Sequence, residues 1–286
     1  MRKKEFIYGT WQIGGLPSFR DMRESDALSL LEYAYSLWIR SFDTAPIYGL
    51  WKSEIFLGKA FESVRKEIRI ISKFGFSIEN TGSHFDVTPQ GIESQLHASL
   101  DRLKTDYIDT YLLHFPERIE SPESIIDTLN TLKWKGYIGE YGLCNTSWAL
   151  LSHFLRAENA KISVIQDFYN LIDRSIEKSI FPLIDEGMEF MAYSPLYRGG
   201  LTDTSIAEIL KKDEWALNML FRNQGLRGFV RDRKLYEIVA ERQGLSLKEF
   251  ALEFLLKNPQ VSSIIYGTSQ KEHLSEIYSL FLKLSQ

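Results

Sequence analysis

Asp43, Tyr48, Lys73 and His114 are the side chains whose types and spacing combine into a reactive set. Each stands at or just past the end of a short apolar run. Asp43 closes Ser41-Phe-Asp, and Tyr48 follows five residues later in Asp43-Thr-Ala-Pro-Ile-Tyr-Gly. Lys73 closes Ile68-Arg-Ile-Ile-Ser-Lys, and His114 closes Tyr107-Ile-Asp-Thr-Tyr-Leu-Leu-His. A buried lysine beside a tyrosine favours the phenolate and lowers the phenol's pKa, while an aspartate beside that lysine keeps it charged and oriented. A phenol tuned in this way exchanges a proton with a carbonyl or alcohol oxygen, and a nearby histidine hydrogen-bonds and orients that oxygen. Singly, each residue also has an ordinary role: a turn aspartate, an interface ring, a strand-end lysine, a satisfied structural histidine. Their joint placement at strand ends favours the chemical reading.

The runs that must carry these residues recur along the whole chain. Short β-rich stretches fall at residues 6–9, 41–43, 68–73, 108–113, 139–143, 164–167, 190–193 and 263–266. Between them lie amphipathic stretches. Residues 25–38 carry Leu28, Leu31, Ala34 and Tyr35 on one face, and a helix starting at Thr88-Pro89 carries Ile92, Leu96, Leu100 and Leu103. Ser121-Pro122-Glu123 reads as a helix start with serine as cap and proline in the first helical position. A further helix is expected over 246–256. Eight strand-like runs alternating with helices predict an α/β fold, a single (β/α)8 TIM barrel occupying residues 1–286 as one domain, with a long loop after strand 7. That connection, 194–262, is expected to hold an extra helix near 213–223 and a barrel helix near 232–242. An open doubly wound sheet is the alternative, but no G-x-G-x-x-G follows the first strand. Asn80-Thr-Gly-Ser reads as a loop.

Composition narrows the classes. With 34 basic and 38 acidic residues in 286, the net charge is −4, which disfavours a nucleic-acid binder that lives on phosphate neutralisation. No apolar run reaches the roughly 20 residues of a membrane span, and the N-terminus lacks the apolar segment of an export signal. A cytoplasmic protein without membrane or nucleic-acid partners is expected, a monomer or weak homo-oligomer. The one cysteine, Cys144, precludes an intrachain disulfide. No histidine pair has metal-ligand spacing, so no metal is expected.

At this point the sequence resembles the aldo-keto reductase family over nearly its full length, from Gly9-Thr-Trp-Gln to Gly267-Thr-Ser. The matching signatures are Phe42-Asp-Thr-Ala-Pro-Ile-Tyr-Gly with Ser53-Glu-Ile-Phe-Leu-Gly-Lys-Ala, then Ser99-Leu-Asp-Arg-Leu-Lys-Thr-Asp-Tyr-Ile-Asp and Tyr111-Leu-Leu-His-Phe-Pro. Gly136-Tyr-Ile-Gly-Glu-Tyr-Gly-Leu-Cys-Asn and Ala192-Tyr-Ser-Pro-Leu follow in order. The resemblance implies the barrel, a nicotinamide cofactor and carbonyl reduction, with Asp43, Tyr48, Lys73 and His114 as the catalytic tetrad and Tyr48 as general acid. By the same resemblance Thr10 and Trp11 border the cofactor, Asn145 and Gln166 hold the nicotinamide carboxamide, and Tyr193 stacks on its ring. Ser194, Leu196, Gly199, Gly200 and Leu201 match the loop over the pyrophosphate. Gly267, Thr268, Ser269, His273 and Glu276 match the adenosine end. Trp11, Trp51, Phe76, Phe115 and Tyr197 are candidates to line an aromatic substrate pocket for a small-molecule carbonyl compound, a sugar or keto sugar among them.

The departures from the pattern concern the cofactor. Tyr266 replaces a usual proline. Ser269 and His273 stand where a basic residue often grips the 2′-phosphate of NADP, and histidine lacks arginine's bidentate fork. NADPH is expected from the family's habit, with Lys271 and Arg222 as substitutes for the missing charge; NADH is the alternative. Cys144, where serine is common, reads as a buried structural thiol. Two other functions remain open: a sugar or alcohol dehydrogenase working oxidatively, and a cofactor-binding regulatory or channel-associated subunit with little turnover.

Overall fold

The computed structural model describes residues 4–15, 21–79, 82–116, 119, 121–211, 214–221 and 224–285. Its eight parallel strands close a barrel: β1 (Glu5–Gly9), β2 (Ser41–Asp43), β3 (Arg69–Phe74), β6 (Ile108–His114), β7 (Ile138–Cys144), β8 (Val164–Phe168), β9 (Glu189–Tyr193) and β10 (Ser263–Tyr266). Each pairs with its neighbours in sequence, and β10 returns to β1. The two remaining strands, β4 (Phe76–Glu79) and β5 (Gly82–Phe85), form an antiparallel hairpin off the barrel where the sequence read as a plain loop. The turn positions 80 and 81 lie outside the described residues. The hairpin base is secured by Gln95, whose Oε1 accepts from Gly75 N at 2.9 Å while Nε2 donates to Asp86 O at 2.8 Å.

Strand periodicity of two sorts the side chains into an outer and an inner set. Phe6, Tyr8, Phe42, Ile70, Phe74, Tyr111, Leu113, Tyr141, Leu143, Ile165, Phe190 and Ile264 point outward into the large core under the helices. The inward set is layered. At the amino-terminal end Arg69 binds Glu5 at 2.9 Å, Glu189 at 2.7 Å and the Thr110 hydroxyl at 3.0 Å. Above it lies a separate apolar layer of Ile7, Ile71, Leu112, Val164, Met191 and Ile265, with Cys144 at its upper edge. One strand therefore contributes Arg69 to the bottom, Ile71 to the middle and Lys73 to the top.

The helices follow their sequence signals with small shifts. Thr88 caps Pro89–Leu103 by accepting from Gly91 N at 3.1 Å, and Ser246 and Glu249 form a reciprocal capping box on Leu247–Lys257. The helix after β6 begins at Glu123, so Pro122 takes the cap position. Ser121 is spent on the Glu123 carboxylate rather than on the helix backbone. The long connection after β9 holds Ile206–Ile209, Glu214–Phe221 and Gly225–Arg242, the last one longer than its expected 232–242. Among the described residues no helix is long and apolar enough to cross a membrane, and no group of three or more His, Cys, Asp or Glu side chains is placed to hold a metal ion.

Candidate active site

The carboxyl end of the barrel gathers the four residues singled out by type and spacing. Asp43 and Lys73 are almost fully buried and meet at 2.6 Å, and Lys73 also donates to Thr44 O at 2.9 Å. Two charges removed from water need such partners, since burial costs each several kcal/mol. Thr10 completes the seat: it is fully buried, and its hydroxyl donates to Asp43 O at 2.7 Å and meets the Ser53 hydroxyl at 2.6 Å.

Tyr48 lies over this ion pair, with Lys73 Nζ 5.1 Å from its ring centroid. Its loop is fixed by backbone packing that tolerates only glycine. Gly49 has φ +63°, and a Cβ there would fall 1.8 Å from Gly14 O; a Cβ on Gly14 would fall 2.6 Å from the Tyr48 carbonyl carbon. Trp11, on the same short helix as Gly14, brings its ring to 6.1 Å from that of Tyr48, and the His114 ring stands edge-on to Tyr48 at 6.4 Å.

The electrostatics differ from the simple expectation in one respect. Tyr48 is pushed well above the ordinary phenol range, not below it. Burial is the largest cause and the Asp43 carboxylate the next, while the charge of Lys73 is answered by Asp43. Tyr48 is thus held as O–H, the form that donates a proton. His114 is driven the other way, well below its ordinary 6.5, by burial and then by Lys73, and so stays neutral.

Asn145, Gln166 and Tyr193 sit beside this group at the ends of β7, β8 and β9. Register sets His114 opposite Cys144 and Cys144 opposite Gln166. Gln166 Nε2 donates to Asp43 Oδ2 at 2.7 Å, and the Tyr193 hydroxyl donates to Asn145 Oδ1. Each carboxamide keeps a second N–H and a lone pair beyond these bonds. That donor set fits a planar carboxamide such as that of nicotinamide.

Phe76, from the hairpin, and Phe115 stand 6.3 Å apart, and Phe115 stacks on His114 at 4.3 Å. Tyr197 is buried with its ring on Phe229 at 6.0 Å and 5.8 Å from Phe168. Trp51, half-buried with φ +73°, opens the helix Lys52–Phe61, and none of the described ring contacts joins it to the others. Leu196, Gly200 and Leu201 are buried behind the loop after β9, with Ser194 and Gly199 half-buried.

At the far side Gly267 packs against Gly9, where a Cβ would fall 2.8 Å from the carbonyl oxygen, and Thr268 O accepts from Tyr8. Ser269, His273 and Glu276 are exposed. Lys271 turns to the Ser29 hydroxyl at 2.7 Å and the Tyr33 ring; Arg222 lies outside the described residues.

Three participants escaped the sequence reading. The Gly14–Gly49 contact joins residues 35 apart, which no local pattern reveals. Asp167, next to Gln166, is a buried carboxyl raised to about 7 chiefly by burial, and it accepts from Phe168 N at 2.7 Å. Arg198, in the left-handed region at φ +55°, sets its guanidinium 5.7 Å from the rings of both Trp11 and Phe168.

The aldo/keto reductase family model matches residues 5–286. This chain belongs to the aldo/keto reductase family. It is 28% identical to the NADH-specific methylglyoxal reductase of Escherichia coli K12, over 97% of this chain and 90% of that one. Its fold matches the glycerol dehydrogenase AKR11B4 of Gluconobacter oxydans with a TM-score of 0.80, at 26% identity over 96% of this chain and 86% of the other. An aldo-keto reductase from Klebsiella pneumoniae in complex with NADPH shares the fold, with a TM-score of 0.73 at 19% identity over 98% of this chain and 90% of the other.

The site geometry makes two predictions. Gly14→Ala should shift the Tyr48 loop and lower kcat at least about tenfold while NADH and NADPH still bind, since small misplacements of a reacting group are expensive; steady-state kinetics with fluorescence titration of cofactor test this. The second concerns His114, whose folded pKa lies below its unfolded value. Its contribution to stability is therefore complete above about pH 6.5 and lost as pH falls through that value toward the folded one. Asp167, raised to about 7, contributes with the opposite sign in the same range and is common to both proteins, so the slope is read from the difference: urea unfolding from pH 8 to 5 should show the native protein losing stability relative to His114→Asn as the pH falls below about 6.5.

Proposed function

We propose that this aldo/keto reductase reduces an aldehyde or ketone to the alcohol with a nicotinamide cofactor, Tyr48 serving as general acid. The observation that supports it is the half-buried Tyr48, held as O–H between a neutral His114 and the Lys73–Asp43 pair, beside the carboxamides of Asn145 and Gln166. A bound reduced nicotinamide supplies the hydride that reaches the carbonyl carbon. The protein's part is the oxygen. Neutral His114 can offer an N–H to that oxygen, and Tyr48 O–H transfers its proton as negative charge develops there. Lys73, locked on Asp43, offsets the carboxylate that would otherwise oppose the negative charge left on Tyr48. Trp11, Phe76 and Phe115 form an apolar rim that excludes water and strengthens each of these interactions.

For the cofactor, the charges at the adenosine end support NADH at least as well as NADPH. Lys271 is turned to Ser29, and Lys248 is shared between Asp203 at 2.7 Å and Glu276. Among the described residues proposed for that end, His273 is the remaining basic side chain, and a neutral imidazole attracts a phosphate weakly.

Two experiments test this reading. Purified protein is assayed with aldehydes, ketones and keto sugars, methylglyoxal among them; Tyr48→Phe should lose about 100-fold or more in kcat and keep cofactor affinity. Full activity in that variant refutes the assignment of the acid. Run in parallel with both cofactors, the native protein should have a kcat/KM for NADH equal to or above that for NADPH, and His273→Arg should tilt the ratio toward NADPH by about tenfold. A native preference for NADPH beyond about tenfold overturns the cofactor assignment.

A further inference from the structure

The side chains between Tyr193 and Asp43 form one unbroken chain of hydrogen bonds, and all its donors point the same way. The Tyr193 hydroxyl donates to Asn145 Oδ1. Asn145 Nδ2 donates to Cys144 Sγ at 3.2 Å, and Cys144 Sγ donates to Gln166 Oε1 at 3.1 Å. Gln166 Nε2 then donates to Asp43 Oδ2 at 2.7 Å, where Lys73 also donates. The carboxylate is the terminal acceptor of the series. Because each bond polarises the next in the same sense, such a chain is stiffer than its separate links. It also decides the orientation of both amides: each points its N–H group toward Asp43 and its oxygen away along the chain.

Cys144 is the one link that joins the two carboxamides. A group there must accept from Asn145 and donate to Gln166 at once, and a thiol or a hydroxyl does both through a single atom. The thiol is 1% exposed, and burial pushes it up, so it remains S–H and keeps its donor. These are the surroundings of an unreactive cysteine, so oxidation or alkylation is not its role.

We infer that Cys144 is a positioning residue, its thiol linking Asn145 to Gln166 so that both carboxamides meet the nicotinamide carboxamide in one fixed orientation. This rests on the reading of the barrel mouth as a nicotinamide site. Gln166 is already oriented by the Asp43 carboxylate, so the link carries that orientation to Asn145; without it Asn145, whose other partner is the Tyr193 hydroxyl, can turn through 180° and present the wrong atom, which penalises the nicotinamide half of the cofactor and leaves the adenosine half untouched.

The test compares the native protein with Cys144→Ala and Cys144→Ser, measuring affinity for NADH, NADPH and ADP-ribose, which lacks nicotinamide, by calorimetry. Cys144→Ala should bind NADH and NADPH about tenfold more weakly and ADP-ribose unchanged, and Cys144→Ser should recover most of the loss. The side-chain amide ¹⁵N resonances of Asn145 and Gln166 should shift in Cys144→Ala and return toward native positions in Cys144→Ser. If Cys144→Ala does not fold, Cys144→Val fills the space without a donor and replaces it. Equal NADH affinity and native amide resonances in the alanine or valine variant overturn the inference, as does an equal loss for ADP-ribose. A native protein that binds NADH but turns over no carbonyl sinks the proposed activity alone, and the ratio of NADH to ADP-ribose affinity still decides the role of Cys144.

Discussion

The buried ion pair between Lys73 and Asp43 is the constraint around which the rest of the site is arranged. Both side chains are at or below 5% exposure, and neither charge is tolerable there alone. The pair is answered by polar groups on several sides. Thr44 O accepts a hydrogen bond from Lys73, Gln166 donates one to Asp43, and Thr10, itself bonded to Ser53, holds the Asp43 carbonyl from behind. Glu54, fully buried next to Ser53, bonds Ser72 at 2.7 Å and Arg102 at 2.7 Å, tying the helix after Tyr48 to the strand that carries Lys73. The ion pair is thus the centre of a polar cluster whose outer members are structural and whose inner members face the mouth.

That cluster can exist because the barrel interior is layered. The period of two on β3 gives Arg69, Ile71 and Lys73 to successive levels, and the same spacing gives Glu189, Met191 and Tyr193 on β9. The Arg69 network closes the bottom, and the apolar layer above it separates that network from the reactive end. The altered acidities at the top share one cause, burial. Tyr48, His114, Cys144, Asp167 and Tyr193 each have burial as the largest cause of their shift, and each is driven toward its neutral form. Stability and chemistry are therefore separated along the barrel axis, with the residues that tolerate least change in the middle.

How much of this was legible in the sequence depended on whether the information was local. Strand and helix periodicity is local, so the barrel could be read, and so could the strand-end placement of Asp43, Lys73 and His114. The sign of the Tyr48 shift was not, because it depends on Lys73 being neutralised by a residue 30 positions away and on burial that no single segment sets. The β4–β5 hairpin was read as a loop because the Asn-Thr-Gly-Ser punctuation was stronger than the short flanking runs. What brings Phe76 to His114 is a ring contact with Phe85 and the Gln95 bridge at the hairpin base. Lys271, a candidate to meet a cofactor phosphate, contacts Ser29 and Tyr33 of a helix some 240 residues earlier, a partnership no local pattern reveals. Cys144 looked inert for a sound reason, its burial, but burial says nothing about the two carboxamides that meet at its sulfur.

The strained backbone at the barrel mouth follows from the same arrangement. Phe115, Asn145 and Ser194 each immediately follow a strand that ends in a site residue, and all three lie in the left-handed region at φ +50°, +60° and +57°. Asparagine and serine accept this more readily than phenylalanine, for which the conformation costs on the order of 1–3 kcal/mol. The chain turns sharply at these points because the strand must present its last side chain inward and then leave the barrel at once, without covering it. At Asn145 the turn is held by Asn145 N donating to Gln166 O at 3.0 Å; at Phe115 it is held by Phe115 N donating to Cys144 O at 3.1 Å and by the ring stacked on His114. The turns at Phe115 and Asn145 are thus fastened to the next strand in the sequence His114, Cys144, Gln166. The cost is met by backbone bonds among the same strands that align the side chains, so relieving the strain at one turn would loosen the neighbour it is tied to.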